Sequence, residues 1–338
     1  MLIRLGYTEP VADSASGFVR NFDYGGWLNA HDTSATRWQH VASVRPPILA
    51  IPVGAIVLSL RNVRLGRSDT RGATRLAAVT GGLAFAAATA GSHFSGDFGL
   101  NQLWLLAGWG TSSALLVWTF YAALEPYVRR RWPEMLISWS RLLDGRWRDP
   151  LVGRDLLVGS AIGVGVTLMQ PLQGLVLEWR GAPPALNTVT TGIWEGIRPV
   201  VADLPAIIPT SAGVSLGVVM FLVLLRPVLR GERAAAIGAI VLLFPFFLVF
   251  GTADPLVFAA VAAIRACVWV AVVTRFGLVM FAALVMAVPT LGQLGGGLAA
   301  PGFALGAVVL TMALPIALGV FGFVTATRGH KMTAWLEE

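Results

Sequence analysis

The chain has 338 residues, 56% of them hydrophobic and 13% charged, with a formal net charge of +7 and a mean hydropathy of +0.71. Such fractions lie well outside those of an average soluble domain and exclude water as the main solvent. The positive surplus is almost all arginine, since Lys331 is the only lysine, and the arginines flank apolar runs; that reads as membrane orientation, and no nucleic-acid partner is expected.

Met1 to Val44 is polar and has no apolar h-region, so no cleavable signal peptide is expected, and residues 1–45 read as a short extracytoplasmic segment. Apolar spans follow at about 46–60, 76–92, 102–124, 156–177, 207–225, 236–252, 256–274, 276–291 and 303–324. At 1.5 Å rise per residue, several are long enough to cross a hydrocarbon core of ~30 Å. They are continuously apolar and do not alternate, which selects helices over barrel strands. The first, opened by Pro46 and Pro47, is the weakest, and Asp254-Pro255 divides the sixth from the seventh. The expected fold is all-α: a polytopic integral membrane protein of about nine transmembrane helices. Helices 1–3 lie within 46–125, the fourth at 156–177, helices 5–9 within 207–326, and 327–338 is a tail.

Arginine sets the orientation, because loops rich in Lys and Arg stay cytoplasmic. Arg61, Arg64, Arg67, Arg71 and Arg75 fill the first connection. Arg129, Arg130, Arg131, Arg141, Arg146, Arg148 and Arg154 fill the third, and Arg226, Arg230 and Arg233 the fifth. Arg275 marks the seventh, and Arg328 and Lys331 the tail. With nine spans these all fall on one side, and the even-numbered connections hold only Arg180 and Arg198. The topology expected is N-terminus outside and C-terminus inside.

Two segments between spans carry a helical period. In the cytoplasmic stretch 126–155, Met135, Leu136, Trp139, Leu142 and Leu143 lie opposite Glu134, Ser138, Arg141 and Asp144, with Pro133 suited to the helix start and Gly145 to its end. This reads as an amphipathic helix in the headgroup region, a plain interfacial anchor. The alternative is a docking surface for a soluble partner, made of Arg129, Arg130, Arg131, Trp132, Trp139, Arg141, Trp147 and Arg148. In the extracytoplasmic stretch 178–206, Leu186, Val189, Ile193, Ile197 and Val200 form a second stripe between Pro184 and Pro205, lying on or dipping into the outer leaflet.

Packing has visible means in Gly159 and Gly163, Gly213 and Gly217, and Gly302 and Gly306, each pair four apart, as close helix approach in lipid requires. No repeat of fixed period and no inverted halves are seen, which weakens a transporter reading.

Little in the sequence speaks for chemistry. Asp97-Phe98-Gly99 spells a kinase magnesium triplet, but it lacks the His-Arg-Asp loop, the Gly-rich loop and a suitably placed lysine, so coincidence is the better reading. His40 and His93 are isolated, and the Gly292 to Gly297 stretch lacks the context of a phosphate cradle. Glu195 and Asp203 read as solvated acids rather than an acid and base pair, and Cys267 as a buried, inert thiol. No cofactor or metal is expected. Arg265, mid-span, is the exception. A charge there costs about 2.5–3.5 kcal/mol, so it calls for a partner or a wet cavity. Gln170, Gln173 and Asp254 are the candidate neighbours. A structural arginine is the plainer reading, and an ion or substrate pathway the functional one.

The stretch ALEPYVRRRWPEMLISWSRLLDGRWRDPLVGRDLLVG, Ala123 to Gly159, closely resembles the C-terminal membrane region of a group of bacterial transmembrane serine/threonine protein kinases. RLGYTEPVADSASGF from Arg4 and AHDTSATRW from Ala30 resemble the extracytoplasmic segment of those kinases. RNVRLGRSDTRGATRLA from Arg61, TRFGLVMFAALV from Thr274 and FGFVTATRG from Phe321 resemble their membrane block. The resemblance implies a cytoplasmic kinase or signalling protein as partner and a segment Arg4 to Trp38 outside the cytoplasm. No kinase catalytic residue has a counterpart in this chain, so none is carried over, and Arg265 falls where an apolar residue is expected. The function expected is a membrane sensor or anchor module without catalytic activity of its own, either a kinase-free relative or a piece of a longer gene. A permease or channel using Arg265 is the alternative.

Overall fold

The computed structural model describes residues 51–92, 99–181, 197–229, 231–248, 255–292 and 305–327, all within one compact unit, Pro47–Glu338. The expectations for residues 1–45, His40, His93, Asp97-Phe98, Leu186, Val189, Ile193, Glu195, Asp254, Gly302 and the Gly295 to Gly297 run lie outside the described residues. Every described element is a helix, and no strand occurs among the described residues. In chain order they are α1 (51–64), α2 (Thr70–Gly91), α3 (Gly99–Arg131), α4 (Glu134–Leu143), α5 (Pro150–Trp179), α6 (Ile197–Leu229), α7 (Glu232–Leu248), α8 (Pro255–Phe276), α9 (Leu278–Gly292) and α10 (Leu305–Ala326).

The described part of each expected apolar span lies on a helix, save that the one expected at 276–291 starts across the break at Gly277, and α4 is the expected amphipathic helix. Six of the helices, α2, α3, α5, α6, α8 and α10, are long and apolar enough to cross a membrane. Of the others, α7 has 17 residues and α9 15. Large apolar side chains such as Leu105, Val241, Leu256, Val309 and Ile316 stand exposed along these helices, a surface that suits lipid and not water.

The helices start earlier than their apolar runs. Asp69 caps α2, its Oδ1 accepting the Gly72 N–H at 2.9 Å, and Asp149 caps α5, accepting the Leu151 N–H at 3.0 Å ahead of Pro150. Capping satisfies the exposed N–H groups of a first turn whatever its hydropathy, so both helices begin six residues upstream of the spans expected from the apolar residues.

Small residues set the crossings. A Cβ on Gly159 would overlap the Met280 carbonyl oxygen, and one on Gly163 would stand 2.6 Å from the Ala287 Cβ, so α5 and α9 touch backbone to backbone as expected. Gly213 and Gly217 sit less tightly, 3.4 Å from Leu116 and Phe120 of α3. The pairs Gly153 with Gly322 (α5 and α10) and Gly81 with Gly110 (α2 and α3) are equally close and have no four-residue signature. Where α7, α8 and α9 meet, Trp269 packs edge-on against Phe247 at 5.0 Å and against Phe281 at 5.3 Å.

Cys267 corrects one expectation. It is exposed on α8, on the face shared with Ile264 and Ala271, while Ala266, Trp269, Val270 and Val273 turn inward. A span apolar on all sides gives no inside-to-outside signal, so the burial of its thiol was not decided by the sequence.

Candidate functional site

The arginine-rich connections converge on one end of the bundle. At its centre Glu125, 4% exposed, accepts the Asp69 N–H at 3.1 Å and pairs with Arg129 at 2.7 Å, one turn along α3. Asn62 of α1 donates to the carbonyls of Ala122 (3.2 Å) and Ala123 (2.9 Å). Pro126 has no N–H to offer the Ala122 carbonyl, so the amide fills a gap that the sequence itself creates. Arg226 near the end of α6 bonds Glu232 of α7 at 2.9 Å and lies 5.2 Å over the Trp132 ring; Arg131 approaches the same Glu232 at 3.8 Å.

Helix α4 is fastened into this end. Its C-terminus closes in a Schellman motif, with Gly145 N–H on the Leu142 carbonyl and Arg146 N–H on the Arg141 carbonyl, and Gly145 takes φ +81°. Ser138 donates to Asp155 of α5, a carboxylate 3% exposed that also takes the Arg154 guanidinium. Arg141 grips both oxygens of Asp149 at 2.7 and 2.8 Å. Burial pushes the Asp149 carboxyl up. The Arg141 hydrogen bond, the Leu151 N–H and the charges of Arg141 and Arg146 pull it down further, so it lies below its usual range. Gly277, the one residue between α8 and α9, holds φ +98°, and a Cβ there would stand 3.0 Å from the Met135 carbonyl oxygen, a tight approach at a backbone angle that favours glycine.

The apolar stripe of α4 is therefore not laid on lipid or offered to a partner. Met135 and Trp139 are buried, 7% and 4% exposed, in the same core cluster as Leu278 and Phe281. Of the expected docking residues, Trp139 and Arg141 are consumed internally and Trp132 is half-covered by Arg226. Trp147 stacks on Phe321 of α10 at 5.8 Å and carries Arg148 on its ring at 4.4 Å. Arg129 is tied to Glu125, and Arg131 reaches Glu232 only loosely. Arg130 is left exposed, with no ion pair among the described residues.

A shallow recess lies behind this network, lined by Tyr121, Glu125, Met135, Leu136, Leu216 and Leu278 among others. It is apolar apart from the Tyr121 and Glu125 side chains. No group of three His, Cys, Asp or Glu side chains able to hold a metal occurs among the described residues.

The second candidate is intramembrane. Arg265 is partly buried in α8; its Nε is enclosed without a hydrogen-bond partner, and it makes no ion pair among the described residues. Gln173 on α5 is buried with its Nε2 likewise unpartnered, while Gln170 is half-buried one turn away. The helices α5 and α8 touch, but no hydrogen bond joins Arg265 to either glutamine among the described residues. Sequence reasoning missed Asn62, Asp69, Glu125 and Asp155. The available signals were a proline inside α3 and a glutamate four residues before an arginine.

No family model, curated protein or solved structure matches the chain.

Proposed function

We propose that the chain is a multi-pass protein of the bacterial inner membrane that crosses nine times, N-terminus outside and C-terminus inside. In this reading it is a sensor or anchor module related to the membrane half of bacterial transmembrane serine/threonine kinases. It has no catalytic centre of its own and passes an external or lipid signal to a cytoplasmic kinase or other signalling protein. The observation that carries this is the fastening of α4. A single short helix at the arginine-rich end touches α2, α3, α5, α8 and α9, so a shift among the membrane helices is transmitted to the surface that carries the free arginines. The resemblance of Ala123 to Gly159 to that kinase region supports the same reading.

Two measurements test it. Reporter fusions after Thr70 and after Trp139 should both report the cytoplasm, and periplasmic access at both would overturn the topology. Crosslinking in native membranes should join a cytoplasmic kinase or other signalling protein to the wild type and not to an Arg130→Glu, Arg148→Glu variant. An unchanged crosslink would overturn the signalling role.

One observation favours the alternative, a permease or channel. The Arg265 Nε is enclosed and unpartnered, as expected of a charge that awaits an anion. Anion uptake into reconstituted vesicles, abolished in Arg265→Gln, is the result that would prefer it.

A further inference from the structure

At the arginine-rich end one set of guanidinium groups is used by no internal contact among the described residues. Arg61 and Arg64 close α1, Arg67 follows the turn that Gly66 makes at φ +62°, and Arg71 and Arg75 stand on the first turns of α2. All five side chains are exposed, and none of their guanidinium groups has a hydrogen bond or ion pair among the described residues. Asp69, the acid among them, is already committed as the cap of α2, and its own N–H goes to Glu125.

The placement is electrostatically unfavourable by itself. The first turn of α2 contains no acidic residue, and Arg71 adds a cation where the helix dipole is already positive. The Asp69 carboxylate at the cap offsets part of that repulsion, but it is one negative charge among five arginines in residues 61–75. An external anion would relieve both at once.

Depth decides which anion. Arg75 lies about 7 Å along α2 from Thr70, and the run from Leu76 to Gly91 beyond it is about 24 Å long. In a helix that crosses a core of ~30 Å, the Arg75 guanidinium stands where hydrocarbon gives way to headgroups. Trp118 of α3 marks the same level, its indole N–H donating to the Thr74 hydroxyl at 3.4 Å, and such amphipathic rings favour that boundary. A soluble acidic protein cannot reach this depth beside a bilayer, whereas lipid phosphates occupy it.

We propose that residues 61–75 form a binding site for the phosphate headgroups of anionic phospholipids. The site rests on the membrane reading above, so the test begins by showing that wild type and variants all remain in the membrane fraction after a carbonate wash; loss of the wild type there would sink the membrane reading itself.

The full chain, purified in detergent, is titrated with short-chain phosphatidylglycerol, with phosphatidylcholine of the same chain length, and with glycerol phosphate. Phosphatidylglycerol should bind in preference to both. The triple variant Arg67→Gln, Arg71→Gln, Arg75→Gln should weaken it roughly a hundredfold, from about fivefold per arginine. The matching triple lysine variant, which keeps the charge, should restore most of the binding. Equal binding of phosphatidylcholine, equal competition by glycerol phosphate, or full binding by a glutamine variant that melts like wild type would each overturn the proposal. So would loss of binding in the lysine variant together with loss of its melting transition, because the arginines would then be structural.

Discussion

Asn62 supplies the Ala122 carbonyl with the hydrogen bond that Pro126 withholds, and so fastens α1 to α3 at the point where α3 has lost part of its own ladder. Asn62→Ala should leave that buried carbonyl unsatisfied and destabilise by about 1–3 kcal/mol. In the double variant Asn62→Ala, Pro126→Ala the helix can pair the carbonyl itself, so the two changes should combine to less than their sum. Denaturant unfolding in detergent of the four members of this cycle measures it, and simple additivity would count against the link.

The α5 and α9 crossing makes a sharper steric prediction. Gly159→Ala and Gly163→Ala place a methyl against the Met280 carbonyl and the Ala287 side chain, and each should lower stability by about 1–3 kcal/mol. Gly165→Ala, on the same helix with open space before it, should be neutral or slightly stabilising, by up to about 1 kcal/mol. Thermal unfolding of the three variants ranks them; equal losses at Gly163 and Gly165 would mean that the crossing is looser than this.

The pull on Asp149 has a sign that can be read in acid. Its carboxyl titrates below its usual range when folded, so the native state holds its proton less tightly than the unfolded chain does. The stabilisation is complete above the unfolded value of about 4 and is lost as pH falls through the lower folded value. Asp149→Asn should lower the melting temperature at pH 7, equivalent to about 1–2 kcal/mol, and flatten the decline below pH 4. Melting curves between pH 7 and pH 3 would show it, and parallel curves for the two proteins would contradict it.

Hydropathy made the six long apolar helices visible because a helix able to cross lipid is apolar throughout, and the ends of α4 were readable because Pro133 and Gly145 have backbone preferences of their own. What covers a face is a different kind of information. The stripe of Met135 and Trp139 was evident, but its partners Leu278 and Phe281 lie far along the chain, so a lipid-facing helix and a buried one read alike. Glu125 was hidden for the same reason, since its hydrogen bond comes from Asp69, 56 positions upstream. Cys267 shows the converse: where every face is apolar, periodicity says nothing about which one turns inward.

Arg265 sets stability against use. Its Nε is enclosed in α8 without a partner, and a charge at such a depth costs about 2.5–3.5 kcal/mol. If nothing in the protein compensates it, removing the charge should stabilise the fold: Arg265→Leu should raise the unfolding free energy by about 1–2 kcal/mol and the melting temperature by several degrees. A gain of that kind at a single polar position is the signature of a residue kept for what it binds, because marginal stability tolerates such a burden at working sites. Unfolding of the purified variant in detergent decides the matter. A loss of stability would mean that Arg265 is satisfied by residues outside the described segments or by a second copy of the chain, and the pathway reading would lose the observation that favours it.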